Sequence, residues 1–199
     1  MHRLKFFVQQ SWLLIVVAFG CGLLLALTNA ALKPRIDKNQ IGEMDAKMKA
    51  LIPDAVSFEK VISQAEIAGN VTDIYEGLNN SRQALGFAFV ATGPGFADQI
   101  KLVVAVNSDC SKLMGFDVLF SNETPGFGSR IITEEWFRQQ FVGAPTGTLE
   151  LIKTGQADKE RDQIKALTGA TVTSTAVVNI FNNHISKVKE LLKQKGLIK

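Results

Sequence analysis

Leu167-Thr168-Gly169-Ala170-Thr171-Val172-Thr173-Ser174 is the stretch on which the reading of the chain turns. Small and hydroxyl residues crowd there, directly before a long amphipathic pattern. Val177, Val178, Phe181, Ile185, Val188, Leu191 and Leu192 follow at three- and four-residue steps, the spacing of one buried helix face. Gly196 then stands where a helix C-cap belongs, after Lys193 and Lys195. The stretch therefore opens the last helix. Hydroxyls and free backbone N–H groups converge at the positive end of its dipole, which suits a phosphate. Thr and Ser before a helix also serve as plain N-caps, and spacing alone does not separate the two uses.

A chain of 199 residues predicts one globular domain with an appendage. The net charge of +3 is spread among interleaved acids and bases. Without a basic block or aromatic ladder, nucleic acid is not an expected partner. Phe is abundant at 13 against a single Tyr, which favours a packed interior. Cys21 lies in an apolar run and Cys110 in a polar Asn-Ser-Asp-Cys-Ser-Lys turn. No disulfide framework is expected from this pair, and Cys110 reads as a tolerated surface thiol. His2 and His184 have no Cys or His at i+3 or i+4, so no metal site is expected, and there is no dinucleotide fingerprint.

Residues 1–10 carry His2, Arg3 and Lys5 and no acid. From Ser11 to Leu32 the chain is almost wholly apolar, enough for a helix of about 30 Å that crosses a bilayer. Thr28/Ala30 and Asn29/Ala31 match a signal-peptidase site poorly, and Cys21 lies mid-run rather than after it, so an uncleaved single-span anchor is expected. Arg3 and Lys5 on one side against Lys33, Arg35 and Lys38 on the other leave orientation undecided by count. The acid-free tail reads as a signal-anchor, with the body outside the cytoplasm. Lys33-Pro34 is expected to end the span. Residues 33–67 then form a stalk helix and lead-in, and 68–199 the body.

From Ala68 the pattern turns to strands. Val71–Leu78, Ala84–Ala91, Ile100–Val106 and Leu113–Ser121 are separated by turns at 79–81, 93–95 and 107–112, an antiparallel meander. Asn122-Glu123-Thr124-Pro125-Gly126-Phe127-Gly128 is an irregular loop, with Glu123 placed where an acid can face a cleft. A helix over Thr133–Phe141 follows, with Thr133 as N-cap and Trp136, Phe137 and Phe141 buried. Leu149–Lys153 is a strand, and a charged link covers 156–165. The expected class is α+β: an N-terminal transmembrane helix, then an antiparallel sheet flanked by helices.

The span leading into Ala30-Ala31-Leu32-Lys33-Pro34-Arg35-Ile36, the meander leading to Glu-Thr-Pro-Gly-Phe-Gly at 123–128, and Thr-Gly-Ala-Thr-Val-Thr-Ser at 168–174 occur in that order. Together they resemble the G subunit of the Rnf ion-translocating electron transport complexes. They are similar also to its homologue, the C subunit of the sodium-pumping NADH:quinone reductase. Both carry an FMN-binding domain, and the resemblance covers nearly the whole chain.

The resemblance implies covalent FMN, joined by a flavin transferase through a phosphoester to the threonine of a Ser/Thr-Gly-Ala-Thr motif. That residue is Thr171 here, with Thr168, Gly169, Ala170, Val172 and Thr173 around it. Gly169 and Ala170 leave room for a phosphate, and Thr168 and Thr173 carry hydroxyls to bind it. The family motif carries an acid three residues before its Ser/Thr; Lys165 stands there, and the nearest upstream acid is Asp162. The Glu-Thr-Pro-Gly loop lies close to the flavin in the family, which brings in Glu123, Thr124, Gly126 and Gly128. The implied role is that of an electron-transfer subunit with no substrate turnover of its own. It would sit in the inner membrane beside other subunits, with the flavin domain on the periplasmic side. A flavin-free anchoring or assembly subunit, and the C subunit of a quinone reductase, are the alternatives.

Overall fold

The computed structural model describes residues 2–155 and 162–198; most of the charged link at 156–165 lies outside the described residues. The chain divides into two compact units, Met1–Glu43 and Met44–Lys199.

Helix α1 spans His2–Leu51 and runs through Pro34, where the sequence suggested a stop. Proline removes one N–H and crowds the carbonyl four residues earlier, at a cost of about 3 kcal/mol. Good helix formers on both sides, Ala30-Ala31-Leu32 and later Met44 to Leu51, outlast that local penalty. Among the described residues α1 holds the one segment apolar and long enough to cross a membrane, with a mean hydropathy of 2.3 and no buried part. Leu14 and Phe19 are more than two-thirds exposed, so this apolar surface is left uncovered among the described residues.

Five strands form one antiparallel meander in sequence order: β1 (Ser57–Ile67), β2 (Asn70–Leu78), β3 (Ala84–Pro94), β4 (Gln99–Asn107) and β5 (Leu113–Phe120). The order of four of these strands is the one expected. β1 was not anticipated, because its alternation is broken. The register with β2 shifts between Lys60 and Ile62 and again before Ala65, and Gln64 has φ +53°. Bulges of this kind suit an edge strand and erase the two-residue period that reveals one.

β4 is buried on both sides. Leu102, Val104 and Val106 face a core shared with α4 (Thr171–Gln194), while Val103 and Ala105 face Met48, Ile52 and Ala55 at and just after the end of α1. The first core holds an aromatic cluster, with Phe116 4.8 Å from Phe141 and 5.3 Å from Phe181, and Phe141 stacked on Phe181 at 4.7 Å. α4 buries the face read from its spacing, Leu191 only partly. It ends in a Schellman turn: Gly196 N–H donates to Lys193 C=O, Leu197 N–H to Leu192 C=O, and Gly196 has φ +69°.

The single helix expected over Thr133–Phe141 is two short turns, α2 (Arg130–Thr133) and α3 (Glu135–Gln139). Glu134 holds an extended conformation between them, so Thr133 ends α2 rather than capping a helix. Phe137 and Phe141 are buried, but Trp136 is 42% exposed, because so short a helix buries one stripe and Trp136 lies beside it. Its indole N–H donates to Glu134 Oε2. Two short strands, β6 (Glu150–Ile152) and β7 (Gln163–Lys165), pair in parallel before α4.

Cys110 is not a surface thiol. It takes φ +54° in the β4–β5 turn and turns its side chain into the core, with no exposed surface. Burial pushes the thiol pKa up to about 11, against a smaller opposing effect of Lys189. At pH 8 only about one molecule in a thousand carries the thiolate. With Cys21 replaced by Ser, a thiol reagent at pH 8 should react slowly with the native protein and promptly in denaturant. Equal rates in the two states would contradict this placement.

Candidate functional site

α4 begins at Thr171, with Ala170 at the N-cap and no side-chain cap. The N–H groups of its first turn are thus left for something else. Gly169 precedes it at φ +81°, a conformation that strains any residue with a Cβ. Arg130 braces the turn: Nη1 donates to Thr168 C=O at 2.9 Å, while Nε and Nη2 donate to Glu134 Oε1.

A cleft of about 450 Å³ opens at this helix end, within the range of about 300–1,000 Å³ usual for small-molecule sites. Gly169, Ala170, Thr171, Val172 and Thr173 line one part of it; Thr124, Phe127 and Gly128 line another, and Phe96 completes it. The two motifs singled out in the sequence therefore meet at one site, their lining residues 41 or more positions apart.

The hydroxyls divide sharply in their commitments. Thr173 Oγ1 donates to Glu123 Oε2 at 2.5 Å. Ser174 Oγ donates to Ala170 C=O and accepts from Leu167 N–H, and Thr175 Oγ1 donates to Thr171 C=O. Thr168 is exposed and lies outside the cleft lining. Among the described residues, nothing hydrogen-bonds to the Thr171 hydroxyl, and Thr171 lines the cleft.

Glu123 does not face the cleft as the loop pattern suggested. It is 5% exposed and lies behind the wall, where Oε1 accepts from Phe96 N–H at 2.8 Å and Ala97 N–H at 3.0 Å. Gly128 makes room for it. A Cβ there would stand 2.6 Å from both Glu123 Oε2 and Thr173 Oγ1. Gly126 lies outside the lining too; its φ of +76° shapes a turn in which Phe127 N–H donates to Thr124 C=O.

Phe96, Phe127 and Arg130 belong to the site without being marked as binding residues by either motif. A signal for the two aromatics was present. Pro-Gly-Phe occurs twice, at 94–96 and 125–127, and both Phe residues line the cleft.

Over 177 residues the chain is 32% identical to the G subunit of the ion-translocating oxidoreductase complex of Methanosarcina acetivorans, covering 88% of this chain and 90% of that one. The chain belongs to the G-subunit family of ion-translocating oxidoreductase complexes. The FMN-binding domain family matches residues 95–186, a span that begins at the Phe96 loop and takes in the whole cleft. The G subunit of the Na(+)-translocating ferredoxin:NAD(+) oxidoreductase complex of Acetobacterium woodii is 27% identical, over 94% of this chain and 97% of that one. The fold is that of Shewanella oneidensis NqrC, with a TM-score of 0.57 at 19% identity over 71% of this chain and 73% of that one.

A second cavity of about 640 Å³ lies further along α4, lined by Asn179, Asn183 and His184 and by Thr92 to Pro94. His184 is 1% exposed; Nδ1 lies 2.8 Å from Ile180 C=O, and Thr92 N–H reaches Nε2 at 3.4 Å. These partners suit the neutral ring with its proton on Nδ1. Burial pushes the imidazole pKa below its usual value, and the Ile180 carbonyl opposes this. The unfolded chain therefore takes up the proton first as pH falls below about 6.5. Stability from the neutral ring is full above that pH and is lost as pH falls through the lower folded value. His184→Gln should flatten the acid limb of a plot of Tm against pH below about 6.5. Identical slopes in both proteins would contradict this.

Proposed function

We propose that this protein is a membrane-anchored electron carrier whose FMN is held as a phosphoester on Thr171 Oγ. The observation that carries the reading is the free hydroxyl. Of those in the 168–175 stretch, Thr171 alone both lines the cleft and lacks a partner among the described residues. Attachment exchanges the hydroxyl proton for a bond to phosphorus, and the overall change is addition of FMN with loss of one water. The diester keeps one negative charge. It would lie against the uncapped N–H groups of a 24-residue helix, where the dipole favours an anion. Gly169, by its backbone conformation, lets the chain turn closely around that phosphate.

When bound, FMN supplies the electron transfer; the chain anchors, orients and shields it. Thr124 and Phe127 stand where the cleft can receive the ring system. Electrons would pass between this flavin and other members of an ion-translocating oxidoreductase complex, as the names of the relatives imply. The exposed apolar part of α1 calls for lipid, and the acid-free residues before it support a body on the extracytoplasmic side.

Full-length protein made with a flavin transferase should show an intact mass increased by FMN less one water. Thr171→Ala should abolish the increase, and Thr168→Ala should keep it. An unmodified Thr171 peptide from native membranes would contradict the attachment and favour a flavin-free assembly role. In intact cells with a permeabilised outer layer, external protease should release the Thr171 peptide; protection of that peptide would reverse the proposed orientation.

A further inference from the structure

We infer that the two Pro-Gly-Phe turns are a matched pair of aromatic contacts for the flavin ring, and that Glu123 is the positioning residue that holds the first of them in place. The inference rests on the flavin reading above and assigns the ring its contacts within the same cleft.

Pro94-Gly95-Phe96 leaves the end of β3, and Pro125-Gly126-Phe127 follows β5. Phe96 is 65% exposed and Phe127 57% exposed, although both line the cleft and the fold buries most of its other Phe side chains. Large aromatic side chains left open around a concave site need a cover, and a planar ring system offers matching faces. Phe127 is set by its own turn and lies against Gly169, whose added Cβ would be 3.5 Å from the ring.

The Phe96 turn depends on Glu123 instead. One oxygen of that buried carboxylate accepts from the N–H groups of Phe96 and Ala97; the other accepts from the Thr173 hydroxyl in the first turn of α4. Thr173 is two residues from Thr171. The same side chain thus ties the loop carrying Phe96 to the helix end carrying the attachment point. Gly95 and Gly128 both lie against this carboxylate, and a Cβ at either would collide with it. The joint is packed for one arrangement of loop and helix.

Gln in place of Glu keeps an acceptor for the two N–H groups and a polar partner for Thr173 without the charge. A positioning role therefore predicts that Glu123→Gln behaves as wild type and Glu123→Ala does not.

The test uses full-length protein loaded with FMN, and each variant also in a Thr171→Ala background. Glu123→Ala should speed amide exchange at residues 96 and 97 in both backgrounds, and Glu123→Gln should leave it slow. In the loaded protein, Phe96→Ala and Glu123→Ala should each retain the flavin mass but lose most of the visible circular dichroism of the flavin. The double variant should lose no more than either single one, because both act on one contact. If Glu123→Ala does not fold, Thr173→Val and Gly128→Ala open the same joint from its other sides and should give the same losses. Unchanged circular dichroism in Phe96→Ala overturns the aromatic contact. Additive losses, or Glu123→Gln behaving as Glu123→Ala, overturn the positioning role. A wild type without the flavin mass overturns the attachment reading and with it the ring contact. Amide exchange in the Thr171→Ala background still decides whether Glu123 holds the loop.

Discussion

A buried carboxylate joins the three chain segments that make this site. Glu123 reaches the loop after β3 through two backbone N–H groups and the first turn of α4 through the Thr173 hydroxyl. Taking an acid out of water is costly unless its lone pairs are met, and here donors from two distant parts of the chain meet them. The arrangement makes loop, sheet end and helix end depend on one another. It also explains why glycine stands at 95 and 128, where any side chain would collide with the carboxylate.

The rest of the fold holds these ends in place. β4 is buried on both faces, so the meander is packed between the end of α1 and α4. Phe116, Phe141 and Phe181 lock α4 against the sheet behind the site. With the helix fixed along its length, its uncapped first turn brings Thr171 to the wall of the cleft. Arg130 and Glu134 brace the turn before it. The chemistry that a flavin brings therefore needs no acid, base or nucleophile from the cleft wall, only a charge-tolerant anchor and a shaped surround.

Much of this was legible in residue order. The period of α4, the meander, the apolar run and the two motifs all rest on local patterns, which sequence carries directly. What escaped was non-local or irregular. β1 hides behind its bulges, and α1 continues past a proline that local rules treat as a stop. Cys110 sits in a polar turn yet points inward, because a left-handed backbone reverses the direction its neighbours suggest. The loop pattern marks Glu123 as a cleft-facing acid, yet its side chain is buried and outside the cleft lining. Its partners, Phe96, Ala97 and Thr173, lie 26 or more residues away, and only the folded chain shows them. The doubled Pro-Gly-Phe was readable, and its meaning came only when both copies proved to line one cleft.

The proposed bond between Thr171 Oγ and the phosphorus of FMN is tested directly by a phosphorus NMR titration of the folded, loaded protein. A phosphate monoester titrates with a second pKa of about 6, whereas a diester has no such proton. A diester on Thr171 should give a single protein-bound phosphorus resonance whose chemical shift stays flat from about pH 5 to 8. A bound resonance that shifts through a midpoint at about pH 6 would show FMN held without the ester and would contradict attachment at Thr171.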